Sequence, residues 1–314
     1  MSHSHLQPEA AAPRPSDDRL AGELRFQVVG RLAEEEAEAP AKRRAGRIPW
    51  ISTALLAAIV LGCALANVIA ARDPSYMDLL NCNRAPCREF LFGTDTMGRD
   101  VFSMIWHGGR VSLTIGVLAT ALSTAIAVVY GALSGLAPDW LDALMMRLTE
   151  ILLSVPSLLA VVFVQAALGS ASVLSISVVL GVTGWMSIAK IVRTEVRQLR
   201  GSEYVVASKC MGGGFFHVLV HHLAPNFVSS VMFMVVMNVR GAIVSESTLS
   251  FMGIGLPLEI ISWGSMLSLA EKALLTGSWW IILIPGGFLV ATLMCVTNVG
   301  NALRRGVNRR ERNL

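Results

Sequence analysis

Residues 49–71, PWISTALLAAIVLGCALANVIAA, run for 23 positions without a charged side chain. A helix rises 1.5 Å per residue, so the run reaches about 35 Å, enough to cross the roughly 30 Å hydrocarbon layer of a bilayer. In lipid a helix has the further merit of satisfying every backbone N–H and C=O within itself. The pattern recurs along the chain. Apolar runs at 49–71, 111–136, 151–168, 173–191, 225–245 and 278–300 predict six transmembrane helices, the pattern of an all-α polytopic membrane protein. Of 314 residues, 54% are hydrophobic and 15% charged, well to the apolar side of a soluble domain.

The few charges fix the expected orientation. With the N-terminus inside, the cytoplasmic flanks carry fourteen Lys and Arg against six outside, which places both termini in the cytoplasm by the positive-inside rule. The net charge of +4 therefore reads as topology. A nucleic-acid partner would need its basic groups on one face of a folded domain, so none is expected. Residues 1–46 are rich in Ala, Glu and Pro and close on AEEEAEAPAKRRAGR; they are expected to form a disordered cytoplasmic tail, with His3 and His5 part of it rather than a metal site. That tail has no apolar h-region, so the first span is expected to remain as an anchor.

Cys63, Cys210 and Cys295 stand singly in or beside apolar segments and read as small packing groups. Cys82 and Cys87, in NCNRAPC, share the predicted external loop. A short-loop disulfide is expected there ahead of a metal site, which would need a second ligand pair. Gly131 and Gly135 give a small-xxx-small spacing that favours close helix packing. Pro156 removes a backbone hydrogen bond and predicts a kink in the third span. The polar groups in or near the spans are Glu150, Gln165, Lys190, Asn238, Arg240 and Glu246. Such groups are costly in lipid, so each is a candidate to line a wet pathway, although Glu150, Lys190 and Glu246 stand at predicted ends where a structural role serves as well.

No G-x-x-x-x-G-K-[ST] loop, H-E-x-x-H or G-x-S-x-G motif is present, so no enzymatic site is expected. Three stretches break the apolar pattern. FGTDTMGRDVFSMIWHGGRVSLTIG, residues 92–116, reads as an ordered loop and an interfacial helix, with Asp95, Arg99, Asp100 and Arg110 balancing one another and glycines allowing turns. EYVVASKCMGGGFFHVLVHHLAPN, residues 203–226, reads as helices over 203–211 and 215–223 separated by Gly212–Gly214, with Pro225 opening the fifth span. Phe215, Phe216, Leu219, Val220 and Leu223 form an apolar stripe that asks for a protein partner or the lipid interface. His217, His221 and His222 read as a polar edge ahead of a metal site, because no carboxylate or cysteine is suitably close. ESTLSFMGIGLPLEIISWGSML, residues 246–267, is too broken for a spanning helix and reads as external or re-entrant.

Together these three stretches resemble the C-type permease subunit of the dipeptide/oligopeptide/nickel family of bacterial ABC importers, over about residues 47–306 and in the family's order. The resemblance implies a type I ABC importer permease fold and divides the chain into the tail 1–46, a first helix and periplasmic loop at 47–108, a five-helix core at 109–306 and a basic tail at 307–314. It identifies residues 203–225 as the EAA loop, which docks in a groove of an ATP-binding subunit. The family pattern falls on Val206, Ala207, Ser208, Gly212, His222, Ala224 and Pro225. Val206 stands at the glutamate position, with Glu203 three residues earlier, and His222 and Ala224 replace apolar residues.

On this resemblance the ATPase-coupling residues are Glu203, Val206, Ala207, Ser208, Gly212, Phe215, Phe216, Leu219, Leu223 and Pro225. Gly93, Asp95, Gly98, Arg99, Asp100 and Arg110 form a family motif at the periplasmic entrance, and Asn238, Arg240, Glu246, Phe251 and Trp263 are candidates for pathway or gate. The implied setting is the bacterial inner membrane. The implied partners are a homologous B-type permease, two ATP-binding subunits holding ATP and Mg, and a periplasmic or lipoprotein substrate-binding protein; no cofactor is expected in this chain. The implied cargo is a short peptide, with nickel, a metal chelate, glutathione or an opine as alternatives. An ion-driven secondary transporter would instead show an inverted repeat with matching polar positions, and none is visible.

Overall fold

The computed structural model describes residues 50–310 apart from 71, 170, 213, 258, 270–272, 274 and 275, and apart from the side chains of Lys209, Phe215, Phe216, Leu219, His222, 224–230 and 306–310. The expected tail 1–46 lies outside the described residues. All regular structure among them is helical: α1 (Trp50–Ala64), α2 (Ala66–Ile69), a 3-10 turn (Leu79–Asn81), α3 (Val101–Leu136), α4 (Asp139–Ser154), α5 (Ser157–Leu168), α6 (Val173–Gly184) and α7 (Met186–Leu199). There follow α8 (Glu203–Cys210), α9 (Phe215–Val218), a π-helical turn (Leu219–Leu223), α10 (Ala224–Phe251), α11 (Trp263–Ser268) and α12 (Trp280–Arg310). An isolated bridge pairs Thr94 with Asp100.

Length and composition qualify three helices as spans on their own: α3, α10 over Val231–Phe251, and α12 over Trp280–Arg305. The pairs α4 with α5 and α6 with α7 qualify only jointly, bent by 88° and 45° at their breaks, which gives up to five spans. The expected run 49–71 appears as the 15-residue α1 and the short α2. The kink expected at Pro156 is a full break: Val155 and Pro156 both leave the helical region, at ψ 128° and 125°. The proline ring disfavours the helical conformation of the residue before it, and here both residues extend. The basic tail expected from 307 instead continues α12 to Arg310.

Helix α3 is the axis of the bundle. Its buried residues include Gly108, Gly109, Ser112, Gly116, Ala119, Thr120, Ser123, Ala127, Gly131, Ala132, Ser134 and Gly135, so neighbouring backbones approach on several sides, as membrane helices do where side chains are small. A Cβ at Gly131 would stand 2.6 Å from the Ala189 carbonyl, and one at Gly135 2.7 Å from Val196 Cγ1, both on α7. One at Gly116 would stand 2.8 Å from Ile243 Cγ1 on α10. The close packing predicted for Gly131 and Gly135 is present. The loop-plus-interfacial-helix reading of 92–116 holds only to Asp100. From Val101 the chain is helical without interruption for 36 residues, with Gly108 packed under the Ser262 backbone and the Ile261 side chain and Gly109 under the Trp263 ring and Cys63 Sγ.

Candidate coupling and translocation elements

The hairpin between α7 and α10 has two unlike faces. Inward, Val205, Val218 and Leu223 join Ala127 and Ala132 of α3, Ile188, Ala189, Val192 and Val196 of α7, and Val231 of α10 in one apolar cluster. Outward, Tyr204, Val206, Met211 and Val220 stand exposed, Met211 at 83%. The two-helix reading is therefore present with a changed face. Leu223, expected on the outer stripe, is instead fully buried as a member of this cluster. The side chains of Phe215, Phe216, Leu219 and Pro225 lie outside the described residues; the Pro225 backbone is in the first turn of α10. Glu203 and Ala207 are exposed and Ser208 is buried.

Gly212 takes φ +86°, with open space where a Cβ would point. The turn therefore needs glycine for its backbone conformation and not for room. An open cleft of about 340 Å³ lined by Ser208, Met211, Gly212, Gly214 and His217 lies beside it. His217 and His221 stack at 4.5 Å, and no cluster of three potential metal ligands occurs among the described residues.

At the same end of the bundle, Asp142 is a junction that sequence reading missed. Its carboxylate accepts from Ser134 Oγ of α3 at 2.6 Å, from Arg193 Nε of α7 at 2.8 Å, and from the terminal nitrogens of Arg193 and Arg197. Arg197 also reaches Asp139 at 2.7 Å. The signal is present in the pair Asp139 and Asp142 opposite Arg193 and Arg197, four residues apart on one helix face, but the expected third span begins only at 151 and leaves the two aspartates outside it.

The opposite end is built around FGTDTMGRD. Asp95 and Arg99, 1% and 5% exposed, pair at 2.7 Å, and the same carboxylate accepts from the Met97 and Arg99 amides. Gly93 and Gly98 both take φ +75°, and a Cβ at Gly98 would stand 1.8 Å from the Asp78 carbonyl. Asp100 caps α3 through the Ser103 amide at 3.0 Å. Arg110 caps the other way: Nε and an Nη donate to the Cys63 and Ala64 carbonyls at the end of α1, groups that a helix terminus leaves unpartnered. The residues of the expected entrance motif thus have structural contacts: Asp95 and Arg99 pair with each other, Asp100 caps α3 and Arg110 closes the end of α1. Thr94 extends these contacts, accepting at its carbonyl from Trp280 Nε1 of α12 at 3.0 Å.

Cys82 and Cys87 are free thiols, contrary to the expected disulfide. Asn83 between them takes φ +52° and turns the chain, and Cys87 Sγ instead accepts from the Phe90 amide at 3.4 Å.

The candidate pathway residues separate. Asn238 is half-buried and donates to Ser123 Oγ of α3, whereas Arg240 and Phe251 are exposed. Glu246 and Trp263 are fully buried inside the chain, not on a pathway wall. Glu246 accepts from four serine hydroxyls, and Trp263 donates its indole N–H to the Ile105 carbonyl at 3.0 Å. The 246–267 stretch begins as the last two turns of α10; it leaves that helix through an exposed bend at 252–254 and returns to the bundle at 261–266, which is buried, with Trp263–Ser268 packed on α3, α10 and α12, the condition under which irregular backbone is tolerated at membrane depth. Lys190 and Arg147 pair with an exposed Glu150 at 3.8 and 3.6 Å.

Known proteins share this arrangement of sequence. The oligopeptide transport system permease protein OppC of Bacillus subtilis (strain 168) is 36% identical over 261 residues, 83% of this chain and 85% of the relative. The dipeptide transport system permease protein DppC of the same organism is 37% identical over 222 residues, 71% and 69% of the two chains. OppC of Haemophilus influenzae is 32% identical over 295 residues, 91% and 94%. The family described as binding-protein-dependent transport system inner membrane component matches residues 126–312, from the middle of α3 through the hairpin and the buried Glu246 turn. With its helical bundle, two-faced hairpin and spanning helices, the chain belongs to that family of inner-membrane transport components.

Proposed function

We propose that the chain is the C-type transmembrane half of an ATP-driven importer of short peptides, crossing the membrane six times with both termini in the cytoplasm. The observation that carries the reading is the hairpin at 203–223: exposed Tyr204, Val206, Met211 and Val220 on one side, and on the other an apolar cluster continuous with α3, α7 and α10. A surface of that kind accepts force from a soluble protein and passes it to spanning helices as one packed body. The names of the relatives support the peptide cargo. Hydrolysis of ATP falls to two partner subunits, and a binding protein delivers the peptide.

A homologous permease completes the pathway. Support comes from the apolar face left open along α4 and α5, where Trp140, Leu144, Leu148, Leu159 and Phe163 are all more than half exposed.

The test is uptake of a labelled peptide by vesicles holding this chain with its partner permease, ATPases and binding protein. ATP-dependent uptake is expected, and Met211→Asp or Val206→Arg should abolish it and release the ATPase subunits while the membrane subunits stay assembled. Uptake that persists without ATP or without an ATPase subunit overturns the mechanism.

A further inference from the structure

Glu246 sits at 0% exposure in the penultimate turn of α10, with hydroxyls from three parts of the chain directed at its carboxyl. Ser262 Oγ donates to Oε1 at 2.7 Å and Ser250 Oγ at 3.0 Å; Ser112 Oγ donates to Oε2 at 3.1 Å and Ser247 Oγ at 3.4 Å. Ser112 belongs to α3, Ser247 and Ser250 to α10, and Ser262 to the returning segment.

Three of these hydroxyls have a second duty. Ser112 Oγ accepts from the Trp263 amide at 3.2 Å, Ser262 Oγ from the Ser265 amide at 3.0 Å, and Ser250 Oγ from the Leu256 amide at 3.3 Å. A hydroxyl that accepts one hydrogen bond still has its own proton to donate. Each serine is therefore a one-link bridge from a backbone amide of the segment 252–268 to one carboxyl. Leu256 lies outside any helix, and Trp263 and Ser265 stand in the first turn of α11, where amides have no intrahelical acceptor, so all three depend on side chains for their partners. The fit is close: Cβ atoms at Gly255 and Gly264 would stand 2.4 Å from the Ser250 amide nitrogen and 2.6 Å from Ser247 Cα.

We propose that Glu246 is a positioning residue: through its serine bridges it sets where the returning segment 252–268 stands against α3 and α10, and so where that segment presents its exposed tip. The tip is Phe251, Met252 and Ile254, respectively 58%, 51% and 39% exposed, around Gly253 at φ +75°. It lies at the far end of α10 from the coupling hairpin, because α10 begins where the hairpin ends and runs for 28 residues, about 42 Å. On the reading that this chain is an importer half, the tip stands on the side from which cargo arrives, and its placement governs transport without touching the ATPase contact.

Amide hydrogen exchange on the assembled transporter in lipid nanodiscs tests this directly, with uptake and basal ATPase activity measured beside it. Glu246→Gln should accelerate exchange in both 252–257 and 261–268 by about tenfold, the scale of one lost hydrogen bond per amide. Peptides from 231–245 should keep wild-type protection. Ser112→Ala, a milder change should the first variant assemble poorly, should accelerate 261–268 and leave 252–257 unchanged. Uptake should fall in both variants while basal ATPase activity persists. Unchanged exchange in 252–268, or acceleration spread equally through α10, overturns the proposal. The exchange pattern stands apart from cargo, so a wild-type complex that fails to import peptide counts against the functional reading and leaves the positioning claim tested.

Discussion

Arg193 holds Asp142 with two sides of its guanidinium, Nε to Oδ1 at 2.8 Å and a terminal nitrogen to Oδ2, across 51 residues of sequence. The pair ties the first turn of α4 to α7, the helix that leads into the hairpin, and Ser134 adds the end of α3. A planar fork on a carboxylate fixes orientation as well as distance.

Asp142→Ala should therefore destabilise the chain by leaving two arginines without their shared acceptor. Loss of one partner of a fully enclosed ion pair costs roughly 3–5 kcal/mol. Because the Arg193 and Arg197 side chains keep 27% and 30% exposure, about 2 kcal/mol is expected here. Thermal unfolding of the purified protein measures it. In a double-mutant cycle Arg193→Gln should add little to Asp142→Ala, since both remove the same contact.

Gly131→Val and Gly135→Val should separate α3 from α7. The Gly131 Cβ meets backbone at 2.6 Å, which no rotamer change relieves. Overpacking of this kind costs about 1–3 kcal/mol, and cross-linking between cysteines introduced on α3 and α7 should slow relative to the parent. Unchanged cross-linking would mean that the two helices do not touch as described.

Gly212 sets a different expectation. With open space around it and φ +86°, the cost of a side chain is one of backbone conformation, about 1–2 kcal/mol for a residue without a left-handed preference. Gly212→Val should impair ATP-coupled uptake with the membrane helices still folded, whereas Gly212→Asn, which tolerates that region, should retain most of it. Equal loss in both would point to a steric role.

Cys82 and Cys87 test the orientation. Both are half-exposed free thiols in the loop after α1, while Cys210 is exposed in the hairpin at the other end of the bundle. A membrane-impermeant maleimide added from outside should label the first two and spare Cys210 until the membrane is opened. The reverse pattern would invert the topology.

How far the sequence foretold this structure depends on how local each signal was. The hairpin was legible because Gly212 and the apolar residues around it lie within twenty positions. The exposed face expected at Leu223 fails, since Leu223 is buried in a cluster with residues of α3, α7 and α10 that its local sequence does not announce. The start of α3 was hidden because Gly108, Gly109 and Arg110 look like a loop. Their partners lie far off in sequence: the Trp263 ring over Gly109, 154 positions downstream, and the Ala64 carbonyl that accepts from Arg110, 46 positions upstream. Glu246 showed only as a polar residue near a helix end: Ser247 and Ser250 are its neighbours on the same helix, but Ser112 and Ser262, which complete the site, arrive through the fold. Asp95 and Arg99 were recognised as balanced charges, and the structure sharpens that into an inward-facing pair.

The 36 residues of α3 amount to about 54 Å of helix, some 20 Å more than a hydrocarbon layer needs. One end meets the Trp263 turn through Gly109 and Ser112, and the other meets α7 through Gly131 and Gly135. A single unbroken rod packed closely toward both ends links the two contacts mechanically: a displacement of the rod at one has to be accommodated at the other. The neighbouring pairs, by contrast, change direction at Pro156 and Trp185 and carry no such straight link from one end to the other.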